Sequence, residues 1–139
     1  MPTKNPSKFK VKYALFCDYA LISQDGKFSL IGEFDRLYSS AEEATLNRGF
    51  LVAKLMGEPS KDINLTVSLV KTGSKTALFS NELTLKFDER GVTALILEIS
   101  GLRFKEFGQY LGVIESGKEK IVEMGLEIIK INQPVAVRA

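Results

Sequence analysis

The sequence predicts an all-β fold: a two-layer antiparallel β-sandwich of about eight strands with one short helical crossover. Three observations carry that prediction. Apolar and polar residues alternate with period two over most of the chain. Glycine-containing turns punctuate the alternation at regular intervals. Hydrophobic residues make up 45% of the 139, enough for a core without metals or disulfides.

The elements follow in order. Phe9, Val11, Tyr13, Leu15 and Cys17 alternate with Lys8, Lys10 and Lys12, which puts the two sets on opposite faces of a first strand. Asp25-Gly26 is a strong hairpin signal, because both central residues of a type I′ turn need positive φ. The return strand sets Phe28, Leu30 and Phe34 on one face and Ser29, Glu33 and Asp35 on the other. Ser39 and Ser40 each precede a glutamate by three residues, Glu42 and Glu43, the spacing of a capping box. One or two helical turns over Ser39–Ala44, crossing between sheets, are therefore expected.

Phe50 to Met56 is apolar on both faces and reads as a central strand. Gly57-Glu58-Pro59-Ser60 turns the chain into the alternation of Ile63, Leu65, Val67 and Leu69. Thr72-Gly73-Ser74 leads to a strand with Phe79, Leu83, Leu85 and Phe87 inward, and Glu89-Arg90-Gly91 leads to Val92–Ile99, again apolar on both faces. Gly108-Gln109-Tyr110 entering a late strand has the form of a tyrosine corner, in which the phenol hydroxyl bonds back to upstream backbone; the plain alternative is a buried Tyr after a turn. Ser116-Gly117 closes a last hairpin with the strand from Glu119 to Ile131. The pattern reads as an immunoglobulin-like or related Greek-key sandwich. Residues 1–8 are expected to be a flexible basic arm, 9–132 the single β-sandwich domain and 133–139 a C-terminal tail.

Composition narrows the function. The chain has no histidine, which removes the commonest general base near neutral pH and the commonest zinc ligand. A single cysteine, Cys17, can form neither an intramolecular disulfide nor a structural zinc site, and its place in an apolar set predicts a small buried hydrophobe. No glycine-rich segment matches a phosphate loop or dinucleotide fingerprint. Glu33 and Asp35 stand about 7 Å apart on one strand face, a separation compatible with acid–base work, but they read as a solvent-facing edge. The aspartates near strand ends do not form the converging run that calcium needs. With no Trp, a glycan platform would rest on Tyr19 and Tyr38 alone. The chain is therefore expected not to be an enzyme and to need no cofactor.

Charge and hydropathy address partners. The formal charge is +2, and Lys4, Lys8, Lys10 and Lys12 precede any acid, so subtracting those four leaves −2 for the rest. A slightly acidic body predicts no nucleic-acid partner. The lysine stripe reads as the solvated face of an edge strand, where Lys blocks edge-to-edge pairing. No apolar run approaches a membrane span and no secretory signal opens the chain, so no membrane partner and a cytoplasmic location are expected. Two strands with apolar residues on both faces need two covers. One is the second sheet; a protein partner or self-association would supply the other. The alternative is a ligand-binding sandwich for a glycan, lipid headgroup or calcium-bridged anion.

Phe16-Cys17-Asp18-Tyr19-Ala20, Ser23-Gln24-Asp25-Gly26-Lys27 and Ile31-Gly32-Glu33-Phe34-Asp35-Arg36 together give the pattern D-Y-A, S-x-D-G-K and G-x-F-D. This resembles the opening of an uncharacterised family of small bacterial proteins. Gly108-Gln109-Tyr110 and Ser116-Gly117-Lys118 occupy places that match the family's later G-x-Y strand and hairpin. The resemblance implies a bacterial β-sandwich and brings no activity, since that family is a domain of unknown function. Within this segment Asp18, Tyr19, Asp35 and Arg36 flank the Asp25-Gly26 turn at similar distances, so a hairpin would gather them at its open end. An Asp18–Arg36 pair beside Tyr19 is expected there, as a polar latch or as a small recognition patch, the latch being the simpler reading.

Overall fold

The computed structural model describes residues 9–132; the arm expected at 1–8 and the tail expected at 133–139 lie outside the described residues. Nine strands follow in order: β1 (Lys10–Ile22), β2 (Phe28–Phe34), β3 (Arg36–Ser39), β4 (Ala44–Met56), β5 (Asp62–Lys71), β6 (Ala77–Lys86), β7 (Val92–Phe104), β8 (Gly108–Ser116) and β9 (Glu119–Lys130). One sheet has the order β2-β1-β4-β7 and the other β3-β9-β8-β5-β6. The sheets face each other across a core that takes alternate residues from each strand. Leu51, Ala53 and Leu55 come from β4, Leu65, Val67 and Leu69 from β5, Ile114 from β8, and Leu126 and Ile128 from β9. Each such Leu or Ile contributes about 1.5–3 kcal/mol by leaving water, which is why the period-two pattern fixes which face of each strand turns inward.

Tyr110 anchors one corner of this core. It is 2% exposed, its hydroxyl donates to the Glu106 carbonyl at 2.6 Å, and its ring meets Phe104 edge-on at 5.0 Å. The G-x-Y segment is thus a tyrosine corner tying the β7–β8 connection to the start of β8.

Four features depart from the sequence reading. Among the described residues there is no helix. The Ser39 hydroxyl accepts from the Ala41 amide at 3.1 Å and donates to the Glu43 carbonyl at 3.2 Å. The capping-box residues therefore close a side-chain turn. Only Ser40–Glu43 separate β3 from β4, too few to repay helix nucleation. Second, the strand β3 was not expected. It runs parallel to β9, with Leu37 opposite Ile128, and its flanks are pinned by Glu127 N–H to the Asp35 carbonyl and Ile131 N–H to the Ser39 carbonyl, both 2.9 Å. The sheets are therefore antiparallel apart from this one pair among the described strands.

Third, the Asp25-Gly26 turn is not type I′. Gly26 lies at φ +87° while Asp25 is not in the positive-φ region. Gly26 N–H bonds the Ser23 carbonyl and Ser23 N–H the Lys27 carbonyl, each at 2.9 Å. This is the three-residue hairpin in which a left-handed glycine follows a turn. Fourth, the last hairpin pairs Ser116 with Glu119, so its two turn residues are Gly117 and Lys118.

Candidate functional site

The candidate site lies on the β1–β2 hairpin, and a bend in β1 decides its geometry. Phe28 pairs with Ile22, nine residues beyond Tyr13. A straight strand would hold those positions about 30 Å apart. The Tyr13 and Phe28 rings instead meet edge-on at 6.5 Å, and the Lys54 ammonium sits 5.6 Å from the Phe28 ring centre. β1 therefore folds back on itself and lays the hairpin over the outer face of its own sheet. Irregular backbone marks the bend: the Cys17 thiol donates to the Tyr19 carbonyl at 3.4 Å, and Gly32, opposite Asp18 in the Cys17–Glu33 and Tyr19–Ile31 register, has φ +71°.

The fold-back builds a second apolar cluster. Cys17, Ala20, Phe50 and Val52 are buried, with Tyr13, Leu15, Phe28, Leu30 and Ile96 packed around them. The second cover that the doubly apolar strands require is thus supplied within the chain, and the argument for self-association from those strands falls away. Cys17 is fully buried, and burial pushes its thiol pKa up, as for a structural hydrophobe.

The four residues expected at the hairpin base separate. Asp18 is exposed and lies over Gly32, where an added Cβ would come within 2.9 Å of the Asp18 Cγ. Arg36 has already left for the other sheet as the first residue of β3. Its Nε meets Asp35 Oδ1 at 3.2 Å, and hydrogen bonding to Tyr38, then to Asp35, holds the guanidinium further toward its charged form. Asp18 and Arg36 make no ion pair, because the chain changes sheets at Asp35 and the hairpin ends at Phe34. Tyr19 sits in the crook, its ring edge-on to Phe50 at 5.8 Å and 5.7 Å from the Arg48 guanidinium. Arg48 is held by Glu98 at 2.8 Å.

Sequence reasoning missed what Tyr19 belongs to. Tyr19 pairs directly with Ile31, and Leu21 with Ser29, so alternation puts all four on one face of the hairpin. On that face Ile31 is 60% exposed, Tyr19 41% and Leu21 39%. The signal was present in the sequence: Ile31 falls among Ser29, Glu33 and Asp35 on the face otherwise assigned to solvent. Among the described residues no group of three Asp, Glu, Cys or His side chains is placed to hold a metal.

These features define an all-β domain of two facing sheets, with an N-terminal hairpin folded over one of them. The chain belongs to the Family of unknown function (DUF6941), whose profile matches residues 12–129. No curated protein sequence matches it. Among solved structures, a β-glucosidase from Listeria innocua in complex with isofagomine matches with a TM-score of 0.50 at 8% identity, over 91% of this chain and 17% of that one. An immunoglobulin-like protein from Pseudomonas aeruginosa matches with a TM-score of 0.47 at 10% identity, over 88% of this chain and 97% of that one. The chain thus spans 17% of the length of the β-glucosidase, and at 8% identity that likeness speaks for the fold and not for an activity.

Proposed function

We propose that the chain is a non-catalytic protein-interaction module that self-associates through the edge of β2, unpaired among the described strands, and the outward face of the hairpin. The carrying observation is the contiguous exposure of Tyr19, Leu21 and Ile31 on one face of a hairpin whose other face packs Ala20, Phe28 and Leu30 onto the sheet and leaves Ile22 exposed at the turn end. Large apolar side chains grouped at a sheet edge favour contact with another chain. The residue inventory supports a non-catalytic role: the chain lacks histidine, and its one thiol is buried.

The partner that fits is a second copy. Ser23 N–H bonds the Lys27 carbonyl, so alternation turns the backbone groups of Phe28, Leu30 and Gly32 toward the open edge. An antiparallel two-fold pairing centred on Leu30 sets Phe28 against Gly32 of the other copy and Lys27 against its Glu33, twice over. Charge and backbone pairing are then both complementary. We further read the domain as an immunoglobulin-like sandwich. The orders β1-β4-β7 and β9-β8-β5-β6, with a tyrosine corner opening β8, support that reading.

Light scattering of the purified chain over a concentration series tests the assembly. Dimer formation is expected, lost in Ile31→Lys. Lys27→Glu and Glu33→Lys, which each set like charges face to face, should weaken it, and their combination should restore it. A monomer at every concentration, or a dimer indifferent to all of these changes, overturns the proposal.

A further inference from the structure

We propose that the corner between the β5–β6 and β7–β8 connections is a binding pocket for a small organic anion, an acidic head on a compact apolar body. The proposal is independent of the hairpin, which contributes no residue to this cavity. The cavity measures about 390 Å³ and gathers three cations, Lys71, Arg103 and Lys105, against one carboxylate, Glu106.

Those cations are poorly neutralised. The Lys71 side chain is only 28% exposed, yet its ammonium lies 3.8 Å from Glu106 Oε1, too long for a hydrogen bond. An ammonium carries three donors, and none of these three has a hydrogen-bonded acceptor among the described residues. Arg103 stands equally far, 3.8 Å, from Glu43. Lys105 makes no ion pair among the described residues. The neutral groups point the same way. The Ser74 hydroxyl accepts from the Thr76 amide at 3.1 Å, which leaves its own proton free to donate into the cavity. The tyrosine corner fixes the frame, since the bond from Tyr110 to the Glu106 carbonyl holds the short connection carrying Lys105, while Arg103 is set by its place near the end of β7.

Size and lining choose the ligand class. The volume falls within the range of small-molecule sites, about 300–1,000 Å³. A bare oxyanion would fill a small part of it. Leu78 and the aliphatic stems of Lys71 and Arg103 border the remainder, which suits an apolar body behind the acidic head. Donors that converge from two connections outnumber the acceptors present, so an incoming carboxylate or phosphate gains charge-assisted hydrogen bonds without displacing an existing one.

Phenyl phosphate is a suitable probe, titrated calorimetrically into the full chain beside inorganic phosphate and phenol. Binding of phenyl phosphate is expected, stronger than that of either fragment and weakening as salt rises. Arg103→Gln combined with Lys105→Gln changes exposed groups only and should cut the affinity about tenfold or more. Lys71→Met should do likewise, with its fold checked by circular dichroism. Absence of phenyl phosphate binding at millimolar concentration overturns the pocket, as does binding that the Arg103/Lys105 pair leaves unchanged. Equal affinity for inorganic phosphate overturns the organic-anion assignment.

Discussion

Tyr110 shows how one side chain can join packing to backbone satisfaction. Its ring fills core space beside Phe104, while its hydroxyl caps a carbonyl that the β7–β8 connection would otherwise leave without a partner. Tyr110→Phe keeps the ring and loses the bond, so about 1 kcal/mol of stability should be lost, read as a lower urea midpoint at unchanged slope. Tyr110→Ala adds a cavity and should cost about 3–5 kcal/mol. Burial raises the phenol pKa above its ordinary value. Its contribution is therefore fully present below the ordinary phenol range and is lost as pH rises through the raised value. Tyr110→Phe should remove part of the alkaline fall in stability and leave the part due to Tyr13 and Cys17, which burial also raises. Asp88 behaves in the opposite sense. Its carboxylate accepts from the Val92 and Arg90 amides at 2.9 and 2.8 Å, and these bonds, Val92 first, hold its pKa below the usual carboxylate range. That contribution is present above the ordinary carboxylate range and is lost as pH falls through the lowered value. Urea midpoints measured from pH 6 down to pH 2 should show a shallower acid limb in Asp88→Ala than in the parent.

At the scale of the element, the hairpin turns on the contact between Asp18 and Gly32. Gly32 combines a left-handed φ with an aspartate lying directly over it. Gly32→Ala should destabilise the chain by about 1–3 kcal/mol. Asp18→Gly in that background should recover the steric share and leave the conformational share. A double-mutant cycle on unfolding free energies should therefore give a non-zero coupling; strict additivity would mean that the two residues do not meet. The same element shows what the sequence carries. Alternation located both limbs of the hairpin, because each buries every second residue. It could not locate the bend, since Tyr13, Leu15 and Cys17 keep the same rhythm whether the strand is straight or folded back. The expected Asp18–Arg36 latch assumed that the chain stays in one sheet, whereas four residues, Arg36–Ser39, pair with β9 instead. A strand so short, with one half-buried Leu37 among polar neighbours, has too little periodicity to be recognised. Asp18 and Tyr19 lie on the hairpin, whereas Asp35 and Arg36 belong to its exit. Lys10 and Lys12 fared better. They lie exposed on the stretch of β1 before Phe16, where β2 has not yet begun to pair and a register shift between Val11 and Tyr13 interrupts the ladder, so that stretch is an edge guarded by charge and a bulge.

For the molecule as a whole, the two apolar clusters set up a hierarchy of stability. The larger core ties both sheets together, while the smaller one is closed only by the folded-back hairpin. Few side chains hold that cover, so the hairpin should open at lower free energy than the sheets separate. Cys17, fully buried beneath it, reports the opening, because a thiol reagent reaches it only when the cover lifts. Leu30→Ala removes about half of a buried side chain's worth of contact, about 1–2 kcal/mol, and should speed Cys17 labelling about tenfold. Leu69→Ala, deep in the larger core, should lower the global urea midpoint further yet leave the labelling rate of the native protein unchanged. Labelling should also depend on urea more weakly than global unfolding does, since lifting a hairpin exposes less surface than separating two sheets. If both variants speeded labelling in proportion to their loss of global stability, the hairpin would be an integral part of the core, and its outward face a fixed surface carried by the whole domain.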